Sequence, residues 1–96
     1  MVRRGKVDVE ATIDLHGMTL ATAQTVLPKF LRTHRIKGAR CVLVITGKGR
    51  PGEGAIRRDF RLWLERADAS ALISGYSPAH IKHGGGGAFY VFLRRV

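Results

Sequence analysis

Over residues 7–15 the chain alternates strictly: Val7, Val9, Ala11, Ile13 and Leu15 are apolar, with Asp8, Glu10, Thr12 and Asp14 between them. A period of two predicts a half-buried strand with one face toward water. Gly17 turns the chain and Thr19 supplies an N-cap, after which Leu20, Ala23, Leu27, Phe30, Leu31 and His34 recur at helical spacing until Gly38. Pro28 falls inside this helix and is expected to kink it. The run Cys41-Val42-Leu43-Val44-Ile45 has almost no polar position and predicts a central strand, ending in a glycine-rich loop over 47–54. In a second helix Ile56, Phe60, Trp63, Leu64 and Ala67 share one face, while Arg57, Arg58 and Arg61 point the other way. A short strand over 72–76, a loop over 77–87 and a last strand over 88–93 complete the pattern.

The order β-α-β-α-β-β predicts an α/β two-layer sandwich with a mixed four-stranded sheet. Two helical crossovers make the first three strands parallel. Right-handed crossovers place both helices on one face when the strand order progresses in one direction, and on two faces when it reverses. The polar alternation of the first strand favours one helix layer and one open sheet face. Residues 7–96 form the domain, and 1–6 read as a basic arm or a cropped linker. Loops that follow parallel strands emerge at one edge, where α/β proteins bind ligands. The loops over 15–19, 46–54 and 77–87 meet there, bringing His16, Lys48, Arg50, His80, Lys82 and His83 together.

Charge changes the picture more than composition does. Seventeen Lys and Arg against seven Asp and Glu leave a formal +10 on 96 residues, a field that attracts polyanions and says nothing of fold. Residues 1–48 hold nine basic and three acidic side chains and residues 49–96 hold eight and four, so the domain itself is basic. No apolar run approaches the length of a membrane span or a secretory signal, which points to a cytoplasmic protein, taken as a monomer. The single cysteine, Cys41, lies in the apolar run and reads as a small buried hydrophobe.

Asp14-Leu15-His16-Gly17 ends the first strand, with Asp14 and His16 facing the same way. A carboxylate beside an imidazole orients the ring and tunes it for proton transfer. The same tetrapeptide also reads as a solvated Asp beside a turn His. Thr46-Gly47-Lys48-Gly49-Arg50-Pro51-Gly52 fits G-x-G-x-x-G in form, but the strand over 72–76 lacks the acidic residue of a dinucleotide site. Gly49 stands where a Walker A loop needs Ser or Thr. What remains is a loop whose N–H groups and Lys48 can hold a phosphate, or a plain connector. His83 precedes four glycines, a run that permits close approach of a ligand or forms a hairpin tip. His80 and His83 stand without the further ligands that a structural zinc requires.

Read together, Ile13-Asp14-Leu15-His16-Gly17, Thr46-Gly47-Lys48-Gly49 and Gly84-Gly85-Gly86-Gly87-Ala88 resemble the marks of the small MutS-related (Smr) domain: L-D-L-H-G, then H-G-x-G or T-G-x-G, then G-G-x-G. The resemblance runs from about residue 7 to 95 and implies a nucleic-acid-binding domain with endonuclease activity, nicking DNA or cutting RNA. It carries the family's Asp and His over to Asp14 and His16. Ile13 replaces the usual leucine, and Thr46 stands where many members have a His, removing a second proton carrier.

On this reading His16, oriented by Asp14, moves a proton at the scissile phosphodiester while Lys48 and loop N–H groups stabilise the phosphate charge. A 2′-hydroxyl serves as nucleophile on RNA; on DNA water attacks, and Mg2+ held by Asp14 becomes attractive. Phosphate contacts are expected from Lys48, Gly49, Arg50, Arg57, Arg58, Arg61, Lys82, His83 and Gly85. Tyr90 and Phe92 alternate with Phe89, Val91 and Leu93, so one of the two sets can stack bases on the open sheet face, although such aromatics more often serve as core or edge cover. Two other classes stay open: a non-catalytic DNA-, RNA- or ribosome-binding module, and a protein-interaction domain of a larger chain.

Overall fold

The computed structural model describes residues 8–47, 54–83 and 85–96. The alternating segment forms β1 (Ala11–Asp14), shorter than the pattern, although Glu10 N–H to Cys41 O and Leu15 N–H to Ile45 O extend its ladder at both ends. Helix α1 (Leu20–Ile36) begins where Thr19 Oγ1 accepts the Thr22 N–H at 3.1 Å and continues through Pro28 as one element. Gly38, at φ +89°, follows the C-cap Lys37, and Ala39 N–H reaches back to His34 O in a Schellman closure that only glycine enters without strain. Strand β2 is Cys41–Ile45, α2 is Gly54–Leu64, α3 is Ala67–Ser70, β3 is Ile73–Pro78 and β4 is Ala88–Leu93.

The sheet order is β1-β2-β4-β3. β1 and β2 are parallel, and β4 runs antiparallel to both β2 and β3, so β1, β2 and β3 share one direction as expected. The three parallel strands progress in one direction across the sheet, with β4 inserted between β2 and β3. Both crossover helices accordingly lie on one face. There Ala23, Leu27 and Leu31 of α1 and Ile56, Phe60 and Leu64 of α2 bury against Val42, Val44, Phe89, Val91 and Leu93. The fold is the expected α/β mixed four-stranded sheet.

Three local expectations are corrected. Ala67 does not continue the apolar face of the second helix: Glu65 and Arg66 N–H groups bond three residues back, and Arg66 is extended (φ −80°, ψ 156°), so α2 ends at Leu64. The third strand is shifted toward the C-terminus, taking in Ser77 and Pro78, with a register irregularity between Ile73 and Gly75. The sheet face away from the helices is not open. Cys41, Leu43, Ala79, Ala88 and Tyr90 form a second buried cluster there, with Val9, Ile45 and Phe92 packed against it. Burial raises the Cys41 thiol pKa to about 11, so the side chain is neutral across the physiological range. No helix among the described residues is long and apolar enough to cross a membrane.

Candidate active site

The edge at the carboxyl ends of β1, β2 and β3 is built from short backbone contacts. Leu15 enters the helix-side core, so Asp14 and His16 on either side of it turn away. The chain then reverses through a turn closed by Met18 N–H to Leu15 O, with Gly17 at φ +85°, the value a type II turn requires at its third residue. His16 therefore sits at the corner of a turn. Its backbone N–H donates to Asp14 Oδ1 at 3.0 Å, and its ring Nδ1 lies 2.5 Å from the same oxygen. The two side chains are 54% and 47% exposed, within reach of a macromolecular substrate.

The second and third motifs are joined by one carbonyl. Gly87 O accepts the N–H groups of Thr46 at 2.9 Å and Gly47 at 3.0 Å. Thr46 is completely buried, and its hydroxyl donates to Gly47 O at 3.2 Å, with Gly87 O at 3.5 Å. A residue read only as the loss of a proton carrier thus clamps two loops together. Gly85 opens a single 3-10 turn, Gly85–Gly87, that leads directly into β4.

Across the edge, Tyr90 projects from β4 on the sheet face opposite the helices. Its hydroxyl accepts the His80 N–H at 3.0 Å and lies 2.7 Å from His83 Nδ1. Tyr90 is thus not a base-stacking platform: it is 5% exposed, and its ring meets His83 edge-on at 5.5 Å. This role was missed because alternation shows that Tyr90 and Phe92 share a face and not that the His80 turn covers one of them. Lys82 is exposed beside them, its N–H donating to His80 Nδ1 at 3.1 Å.

A carboxylate only accepts, so His16 Nδ1 carries a hydrogen directed to Asp14. Tyr90 Oη accepts the His80 N–H and pairs with His83 Nδ1, donating to it or accepting from it according to the His83 tautomer.

The expected residues divide into groups. Asp14 pairs across the sheet with Ile45, and Ile45 with Ala88, whose carbonyl accepts from Ala79. One row thus crosses all four strands on the face opposite the helices, with Asp14 and His16 at one end and the His80–His83 turn toward the other. Two to three strand spacings separate them, about 10–14 Å. Arg58 and Arg61 belong to the helix layer, both exposed, with Arg58 Nε 3.8 Å from Asp59 Oδ1. Lys48, Gly49 and Arg50 lie outside the described residues, as does the side chain of Arg57. Among the described residues no group of three or more His, Cys, Asp and Glu gathers to hold a metal. A Mg2+ ion at Asp14 would draw its other ligands from water and substrate phosphates.

These features define a small α/β domain with a carboxylate–imidazole pair at the loop edge of its parallel strands. The Smr domain family matches residues 13–94, and the chain belongs to that family. It is 31% identical over 98 residues to the Escherichia coli K12 protein named "Probable DNA endonuclease SmrA", covering 99% of this chain and 51% of that protein. The chain therefore spans about half the length of that relative. Its fold is similar to the Smr domain of Thermus thermophilus MutS2, with a TM-score of 0.75 and 30% identity over 88% of this chain and 98% of that one. It is also similar to YdaL, a stand-alone small MutS-related protein from Escherichia coli, with a TM-score of 0.78 and 32% identity over 96% and 70% of the two chains.

Proposed function

We propose that this domain binds nucleic acid and cleaves its phosphodiester bonds, with His16 as the general base and Asp14 as the residue that orients it. The observation that carries this reading is the exposed Asp14–His16 pair, its ring Nδ1 held on the carboxylate, at the loop edge of a domain with a formal charge of +10. The SmrA relative's name supports the same chemistry. On RNA, His16 Nε2 takes the 2′-hydroxyl proton as O2′ bonds to phosphorus, and the 5′-oxygen leaves with a proton from water. On DNA His16 takes a proton from a water whose oxygen bonds to phosphorus, and the 3′- or 5′-oxygen leaves with a proton from solvent. His83, held by Tyr90, contacts an oxygen of a neighbouring phosphate, since 10 Å or more is about the reach to the next one and too far for the same one. Lys82, with Lys48, Gly49, Arg50 and Gly85 of the glycine loops, adds contacts at this edge, and Arg57, Arg58 and Arg61 add them from α2.

The test is cleavage of end-labelled single-stranded RNA and of supercoiled plasmid DNA by wild type and His16→Ala, with and without EDTA. The proposal expects cleavage that disappears in the variant while binding persists. Loss of DNA cleavage in EDTA assigns the water mechanism to a bound cation; EDTA-resistant RNA cleavage assigns the 2′-hydroxyl route. Binding by both proteins with cleavage by neither makes the domain a non-catalytic nucleic-acid-binding module.

A further inference from the structure

The opposite end of the sheet collects a second set of cations. From Asp14 to Glu53 the chain has no intervening Asp or Glu, and Lys29, Arg32, Arg35, Lys37 and Arg40 precede β2 within that stretch. α1 runs from the His16 edge to this far end, carrying exposed Lys29 and Arg32 along the way. At the far end β4 returns beside the start of β2, with Leu93 N–H bonded to Arg40 O, so Arg94 and Arg95 join the group. A groove of about 290 Å³ lies here, lined by Arg35, Arg40, Arg94 and Arg95 together with the exposed apolar Ile36 and Val96, and Lys37 follows Ile36 at its rim. That volume holds a phosphate with several waters, each about 30 Å³.

Two of the side chains here are fixed by carbonyls. Arg35 donates from Nε to Arg94 O and from Nη2 to Arg95 O, both at 3.0 Å, and Arg94 Nε donates to Ser70 O at 2.7 Å. Among the described residues, no carboxylate lies within 4.0 Å of these Lys and Arg head groups. Glu10 and Asp8 are acids near this end, and Glu10 accepts the backbone N–H groups of Arg40 and Cys41, which together with the Arg40 charge hold its pKa below the ordinary carboxylate value. The dipole of α1 accounts for basic residues in its last turn. It does not account for Arg40 and Arg95, which lie on other elements, nor for an Arg35 head group directed to β4.

We propose that this groove is a second contact for nucleic-acid phosphates, so that one strand engaged at the Asp14–His16 edge also reaches Lys37, Arg40 and Arg95. The inference rests on the nucleic-acid reading of the domain. Seven residue steps along β4 and its extension lead from Ala88 to Arg95, a span of about 23 Å at the strand rise. A stacked strand advances about 3.4 Å per nucleotide, so roughly seven nucleotides are needed to touch both ends.

Binding of single strands of about 5 and about 15 nucleotides, read by anisotropy over a range of salt, tests this in wild type and in Lys37→Gln/Arg40→Gln/Arg95→Gln. None of these three side chains makes a hydrogen bond that the fold shows. Wild type is expected to bind the longer strand at least about tenfold more tightly. The triple variant should lose that gain and lower the salt slope for the long strand by about 2, three contacts at 0.7 each, with the short strand unaffected. Wild-type affinity and slope in the triple variant at both lengths would overturn the proposal. If binding responds only to substitutions at the His16 edge, the far groove alone falls; if wild type binds neither strand, the nucleic-acid reading falls with it.

Discussion

The Asp14–His16 turn and the His80–His83 turn stand at the same sheet edge and hold their imidazoles by different means. Asp14 can only accept, which places a His16 hydrogen on Nδ1. Tyr90 accepts the His80 N–H and pairs with His83 Nδ1, so a group able to give or take a hydrogen stands where Asp14 stands in the first turn. The supports differ as well. His16 depends on a neighbour two residues away and on Gly17, whereas His83 depends on a phenol rooted in a buried cluster on the far face of the sheet. One turn histidine is thus held by local chemistry and the other by tertiary packing.

The strongest way to break this contrast is Asp14→Asn, which substitutes an amide able to donate to Nδ1 and so permits the wrong tautomer. Cleavage is expected to fall by about 10²- to 10⁴-fold while the thermal midpoint changes little. An unchanged rate would mean that the carboxylate does not set the ring. Tyr90→Phe sharpens the other half. It removes both the acceptor for His80 and the side-chain partner of His83, and should cost about 1–2 kcal/mol in chemical denaturation and speed amide exchange at His80 and His83. Loss of strand affinity with the cleavage step itself preserved would identify His83 as a binding residue.

Thr46→Val tests the clamp between the glycine motifs, retaining shape and removing a buried hydroxyl; we expect about 1 kcal/mol of destabilisation by urea titration. A variant as stable as wild type would show that the two backbone bonds to Gly87 O suffice. The smallest effect concerns Cys41. Its folded pKa is raised to about 11 by burial, so its contribution is complete below the unfolded value near 9 and is lost as pH rises toward 11. Between those pH values wild type should therefore lose stability faster than Cys41→Val, and parallel pH profiles would contradict the burial of the thiol.

Legibility followed the range of the forces involved. Helix α1, from its Thr19 cap to the Gly38 stop, and β4 over Ala88–Leu93 were readable because caps and periods are local. The Asp14–His16 pair was readable because a two-residue spacing in a strand fixes a shared face. The insertion of β4 between β2 and β3 is a non-local pairing that no period encodes. The burial of Tyr90 and Thr46 depends on the His80 turn and the Gly87 carbonyl, 10 and 41 residues away. The end of α2 at Leu64 was hidden because residues 65–68 include good helix formers and the break is set by the backbone of Arg66.

The central claim is that His16 carries the chemistry, and single-turnover cleavage of one labelled substrate tests it most directly, using wild type and His16→Ala at saturating protein. Saturation removes differences in affinity and leaves the chemical step. We expect a rate lowered by about 10²-fold or more in the variant with substrate fully bound. Equal rates for the two proteins would contradict it and move the active centre away from the Asp14–His16 turn.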